Sequence, residues 1–432
     1  MSILLRFATC AIAFCVLLLS VTDASSHRRN ALNYLSLVEG PTLHTPSHRV
    51  HALSSFDLTF ELHGKEQTIK LSLEPNHDII PDDASVQYLD SNGDVARTER
   101  INRHDHRVFK GRAWIKDENN RWSNVGWARL LVHKDGAHPL FEGAFSVLRD
   151  HHHIVLRSKY LQTKHDLDPD VEAGNTEDMV VFRDSDYAQV SDLPSELKRS
   201  ISPKVSCPSD ELRFNVQPEH PVYSKTLKRE TGYWGTVPRG SLFGKRQIDT
   251  NGFPGGGNSA GVNLRNTIGQ TEGCPGTRKV ALVGVATDCT YTDSFSSQDE
   301  ARSNVISQLN SASDVYERTF NITLGLQNLT ISDPNCPGAI QAATPWNTAC
   351  SNNVTLKDRL NTFSQWRGTQ KDTNSHWTLL TTCETDTAVG LAWLGQACTS
   401  QAQSNSETSG SGETVSGANV VAKTDTEWQV IA

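Results

Sequence analysis

From Arg278 to Ala432, short apolar runs and helical patterns alternate, and that order leaves few folds open. Lys279–Ala286 (KVALVGVA) is apolar almost throughout, as a strand covered on both faces is. Ser297, three residues before Glu300, supplies a cap, and Ala301, Val305, Leu309, Ala312, Tyr316 and Phe320 then recur at spacings of three and four. They predict an amphipathic helix of about five turns. Ile322–Ile331 alternates as a second strand. Thr355 opens a second helix with Leu356, Leu360 and Phe363 on one face and Gly368 at its end. Further strands fall at Trp377–Thr382, Gly390–Leu394 and Asn419–Ala422. The order β-α-β-α-β-β-β predicts an α/β layer on a mostly parallel sheet.

After the last strand, Thr424-Asp-Thr-Glu427 reads as a capping box, with Trp428, Ile431 and Ala432 starting an apolar stripe. A helix of about two turns without a C-cap is marginal. The expectation is a chain cut inside a helix; the alternative is a docked, frayed terminus. The passage from Thr424 resembles the lead-in to the active-site helix of the ADAM/reprolysin branch of metzincin zinc proteases, particularly the secreted fungal members. His376-Trp-Thr-Leu-Leu380 and Val389–Cys398 (VGLAWLGQAC) resemble that family's third strand and its edge strand with the following cysteine. Phe60-Glu-Leu62 and Leu71–Asn76 (LSLEPN) are similar to the opening of a reprolysin-type propeptide. The likeness runs from about residue 50 to 432 and is most specific from 376.

The resemblance implies a β-rich propeptide followed by an α/β metzincin-like catalytic subdomain with two helices, truncated at the active-site helix. It implies zinc, held by an H-E-x-x-H-x-x-G-x-x-H motif expected after Ala432, and a protein or peptide substrate lying along Leu391, Trp393, Leu394 and Gly395. It also offers Cys207 as an inhibitory zinc ligand of the zymogen, although Pro208 stands where the family's switch usually has glycine; the alternative is a free or mispaired thiol, or a disulfide to the mature part. The histidines can be weighed without the family. A catalytic zinc takes three protein ligands and keeps a position open for water. After Lys245-Arg246 the chain has His376 alone, in a predicted strand. These residues by themselves are therefore expected to be catalytically inactive, with no catalytic residue before Ala432.

Arg6 precedes an apolar run, Phe7–Val21, that ends in small residues, a signal peptide cleaved near Ala24; the run is short for a membrane span. The product is expected to be secreted, and an anchored form would need a further C-terminal region. A formal charge of −8 and a pI near 6.1 argue against nucleic acid as a partner. Of nine cysteines, Cys10 and Cys15 lie in the leader and Cys207 stands apart. Cys274, Cys289, Cys336, Cys350, Cys383 and Cys398 form an even set in one segment, as disulfides require, with the pairing open. Sequons at Asn321, Asn328 and Asn353 suit a secreted glycoprotein.

Residues 25–200 read as β-rich: Phe56, Leu58 and Phe60 alternate, as do Ile69, Leu71 and Leu73, and Asn92-Gly93 and Asp135-Gly136 mark turns. This region holds all of the sixteen histidines except His220 and His376. On a strand, His151 and His153 share a face that His152 does not, and solvated histidines are expected there and at His104 and His106. Lys198-Arg199, Lys228-Arg229 and Lys245-Arg246 offer sites to a kexin/furin-type protease. Lys245-Arg246, before the glycine-rich Gly252–Gly257, is the most accessible. The expected organisation is thus a signal peptide at 1–24, a propeptide at 25–246, a Gly-rich start of the mature chain at 247–277 and an incomplete catalytic domain at 278–432. The rival reading is a secreted, non-catalytic binding or inhibitory module; a disulfide-rich structural protein of the cell surface fits the periodicity less well.

Overall fold

The computed structural model describes residues 29–117, 119–171, 176–188, 209, 212–217, 220–222, 273–351, 353–385, 388–405 and 412–432. The predicted signal peptide, Cys207, Lys245 and Arg246 lie outside the described residues. The first half builds a nine-stranded sheet from β1 (Ser36–Leu37), β2 (Glu39–His44), β3 (Phe56–Leu62), β4 (Gln67–Pro75), β7 (Val108–Lys116), β8 (Trp122–Lys134), β9 (Leu140–Val147), β10 (Asp150–Leu156) and β11 (Met179–Arg183). All its strand pairs are antiparallel. β3 shows the sequence's alternation directly: Phe56, Leu58, Phe60 and Leu62 are buried and the residues between them are not. A short helix, α1 (Arg157–Thr163), follows β10.

The second half carries the α/β layer. Its strands are β12 (Lys279–Thr287), β13 (Ile322–Ile331), β14 (His376–Thr381), β15 (Gly390–Ala392) and β18 (Ala418–Ala422). Its helices are α2 (Cys289–Asp293), α3 (Gln298–Phe320), α4 (Leu356–Arg367) and α5 (Glu427–Ile431). Ser297 caps α3 as expected, its hydroxyl accepting from the Glu300 N–H at 3.1 Å. Thr355 and Asp358 form a full capping box on α4. The sheet order is β15-β18-β14-β12-β13-β5-β6, where β5 (Ser85–Leu89) and β6 (Val95–Arg100) come from the first half. Pairs β18–β14, β14–β12, β12–β13 and β13–β5 are parallel and both outer pairs antiparallel. The mostly parallel expectation therefore fits this sheet only; strand pairing over the described residues is largely antiparallel. A small hairpin, β16 (Gln403–Asn405) and β17 (Glu413–Val415), was not visible in the sequence pattern.

Helix α3 lies between the two sheets. Val305, Leu309 and Ala312 share a core with Leu324, Leu326 and Ile331 of β13. Asn310 bonds to Asn76 at 2.8 Å and to the Phe109 carbonyl at 3.1 Å, and Asp314 and Glu317 each lie 3.2 Å from Arg129 of β8. Arg359 of α4, fully buried, pairs with Asp288 at 2.9 Å and donates to the carbonyls of Thr348 and Ala349. Breaking such a pair by removing one partner costs about 3–5 kcal/mol, because the other charge stays buried. No helix of the described residues is long and apolar enough to cross a membrane.

Candidate functional site

Among the described residues β15 is the last strand of its sheet and pairs only with β18, through Gly390↔Val421, Leu391↔Val420 and Ala392↔Asn419. Leu391 and Trp393 are buried, and the Trp393 indole donates to Ser364 Oγ of α4 at 2.7 Å. Their side chains hold the strand to the core. The backbone beyond it is engaged by residues 212–217. Asn215 Nδ2 donates to the Ala392 carbonyl at 2.9 Å, and Asn215 Oδ1 accepts from the Leu394 N–H at 2.8 Å. One side-chain amide thus holds one acceptor and one donor of the edge, as the backbone of an added strand would.

The same segment is fastened on both sides. Leu212 is buried in the core with Trp393, and Phe214 stands edge-on to that ring. Glu413 accepts the Arg213 and Phe214 N–H groups at 2.9 and 2.8 Å and pairs with Lys357 at 2.9 Å. Burial works to raise the Glu413 pKa, but these donors outweigh it and hold the carboxyl below its ordinary range. Gly395 (φ +65°) lies under His220 and Val222: a Cβ there would come within 2.9 Å of Val222 Cγ2.

At the other end of β18 the chain turns into α5. Here the expected capping box is overturned. Thr426 stands at the N-cap without a side-chain bond, and Glu427 points into the core instead of back along the chain. Its carboxyl accepts from Tyr291 Oη at 2.7 Å, and that hydroxyl also receives Asn304 at 3.0 Å. Burial raises Glu427 to about 7 against the pull of Tyr291 and Lys423, and burial lowers Lys423 to about 8. Lys423 bonds Ser294 Oγ at 2.7 Å and sits 4.0 Å over the Phe295 ring. Glu427, Lys423, Ser294 and Phe295 line a cavity of about 320 Å³ together with Glu142, Lys159 and Phe182 of the first half.

The first half also grips α5 through its histidines. Trp428 donates its indole N–H to His153 Nδ1 at 3.1 Å, so His153 Nε2 carries the hydrogen given to Asp184 at 2.8 Å. His151 bonds the same carboxylate at 2.9 Å, and Gln429 Nε2 donates to it at 3.0 Å. Asp184 is held below its usual range: the histidine bonds overcome the burial that opposes them. The shared face of His151 and His153 is as expected; His151 is half-buried, whereas His153 and His152 are not solvated. His153 is 2% exposed, and His152, 3% exposed and stacked on Phe145, is lowered to about 4 by burial. His104 belongs to a single 3-10 turn rather than a strand, and His106, which follows it, is lowered to about 4 by burial.

Among the described residues no group of three or more His, Cys, Asp or Glu side chains could hold a metal ion. His376 is also lowered to about 4 by burial, its Nδ1 3.0 Å from Ser375 Oγ. Four of the predicted cysteines are bridged, as Cys289–Cys336 and Cys350–Cys383; Cys274 and Cys398 are free thiols. Asn321 donates to the Pro275 carbonyl at 2.9 Å, and Asn328 bridges Ser85 Oγ and Asn374, whereas Asn353 is exposed. Sequence reasoning missed Asn215, Glu413 and Tyr291. Only the third had a visible signal, its place beside the apolar strand β12.

Residues 276–432 match a reprolysin model of metallo-peptidase family M12. The chain is 48% identical over 440 residues to "Disintegrin and metalloproteinase domain-containing protein B" of Aspergillus fumigatus, covering 99% of this chain and 54% of that protein. The proteins of the same name from Arthroderma otae and Arthroderma benhamiae are 48% and 47% identical over 418 and 417 residues, covering 95% of this chain and 51% of each. The chain thus spans about half the length of the curated relatives it matches.

Proposed function

Because the chain is ADAM/reprolysin-like over most of its length, with family M12 matched over residues 276–432, we propose that it is the zymogen portion of a secreted zinc metalloendopeptidase. Residues 1–24 serve as signal peptide, 25–246 as propeptide, and 278–432 as the N-terminal part of the catalytic domain after a short lead, 247–277. No group among the described residues makes a zinc site, so no metal ligand is assigned to them. This chain's own contribution is to shape the substrate edge and to aim the last helix.

The observation that carries the reading is Asn215. An extended peptide joining β15 needs the Ala392 carbonyl and the Leu394 N–H, and the Asn215 amide already holds both. While residues 212–217 stay in place, the edge formed by Leu391, Trp393, Leu394 and Gly395 is closed to substrate. A kexin/furin-type cut after Lys245-Arg246 severs the covalent link to the occupying segment and lets it leave. Cys207 lies two residues before Ser209 and five before Leu212 in the sequence, and its thiolate would add to the block if zinc were bound.

The test is zinc content and peptide hydrolysis of the whole gene product, measured after processing and again after chelation. About one zinc per chain and chelator-sensitive hydrolysis are expected. A metal-free, inert product supports the non-catalytic binding module instead.

A further inference from the structure

The α/β layer is not complete without residues from the first half. Strand β5 lies parallel to β13, from Asn328↔Ser85 to Ile331↔Tyr88, and β6 covers its outer side. Just before β5 the chain presses on β13 itself. The Leu326 N–H bonds to the Ile79 carbonyl at 2.8 Å, and a Cβ on Gly325 would come within 3.0 Å of the Asp78 carbonyl oxygen. Ile79, Ile80, Val86, Tyr88 and Ile101 are at most 3% exposed and share one core with Val283, Leu324 and Leu326. Polar contacts fix the register: Asn328 Nδ2 donates to Ser85 Oγ at 3.2 Å, and Arg302 donates to Tyr88 Oη at 2.9 Å.

Lifting this segment away would expose an apolar groove together with the unpaired N–H and C=O groups of a sheet edge. The first is costly in water, and the second is a template for pairing with other chains. We infer that the outer edge of β13 is a strand-addition site whose occupant is the chain's own segment 78–101. That segment stays seated, without a covalent link, after the connection between the two halves is cut. The site lies at the opposite end of the sheet from β15 and Asn215, with β18, β14 and β12 between them. It depends neither on a zinc site nor on where processing occurs.

The test uses the full chain with a site-specific protease sequence in place of residues 251–257. After cutting, the two fragments are expected to co-elute under native conditions, and amides of Ile322–Ile331 to stay as protected from hydrogen exchange as in the uncut chain. Separation of the fragments overturns the inference. So does co-elution with Ile322–Ile331 exchanging as a free edge, because the contact would then lie elsewhere. Val86→Ala, a change small enough to leave the chain folded, is expected to speed exchange of those amides by about tenfold in the cut protein. Exchange unchanged by this substitution contradicts the proposal.

Discussion

Trp428 gives its indole N–H to Nδ1 of His153 across 3.1 Å, joining the last helix to a strand 275 residues upstream. Both side chains are almost wholly buried, so neither can turn to water if the bond is lost. Trp428→Phe keeps most of the apolar contact and leaves Nδ1 without its donor. An unsatisfied buried acceptor costs about 1–3 kcal/mol. The urea midpoint of the variant should fall accordingly, and a midpoint equal to the parent's would show that the bond contributes nothing.

Asn215 is expected to act as a plug rather than a pillar. In Asn215→Ala the Leu394 N–H loses its acceptor, while Leu212 and the Glu413 bonds to Arg213 and Phe214 remain. Amide exchange at residues 392–395 should rise about tenfold, the equivalent of about 1.4 kcal/mol, with little change in global stability. Unaltered exchange there would mean that the edge is closed by something else.

Glu427 gives the protein a pH dependence of definite sign. Its folded pKa, about 7, lies above the ordinary 4.5, so the folded state binds the extra proton in that window. Stability therefore falls as pH rises from 4.5 to 7, and the full cost persists above 7. Integrated over the window the effect is about 3 kcal/mol. Lys423, lowered to about 8, works in a separate window: its cost is present below 8 and fades as pH climbs toward 10.5. Comparing denaturation of the parent and Glu427→Gln between pH 4.5 and 7 isolates the first effect. Parallel curves would refute it.

Of the three sequons, Asn353 alone presents an exposed side chain. Asn328 spends its amide on Ser85 and Asn374, and Asn321 on Pro275. Peptide mapping of the protein expressed through a secretory pathway should find a glycan at Asn353, lost in Asn353→Gln. A glycan on Asn328 would conflict with the pairing of β13 and β5.

What could be read in advance follows from distance along the chain. α3 and α4 were legible because their apolar spacing and their caps, Ser297 and Thr355, are local. β3 and β4 were legible because Phe56 to Leu62 and Ile69 to Leu73 alternate beside each other. β5 escaped because its partner β13 begins more than two hundred residues later, and a short alternating run fits either sheet equally well. Glu427 shows a local motif losing to tertiary contact: the capping geometry was available, but the Tyr291 hydroxyl offered a bond in the core. His151 and His153 were placed on the correct face. The burial of His153 depended on Trp428 and Asp184, which nothing near residue 151 foretells.

Under the proposed function, the first half would hold the substrate edge of a latent metalloprotease shut until the chain is cut. The most direct measurement is the rate of peptide hydrolysis by the whole gene product before and after treatment with a kexin-type protease, alongside a Lys245→Ala/Arg246→Ala variant. Cleavage at Lys245-Arg246 is expected to switch on hydrolysis in the parent, and the uncleavable variant is expected to stay latent. An uncut variant as active as the processed parent would contradict that expectation.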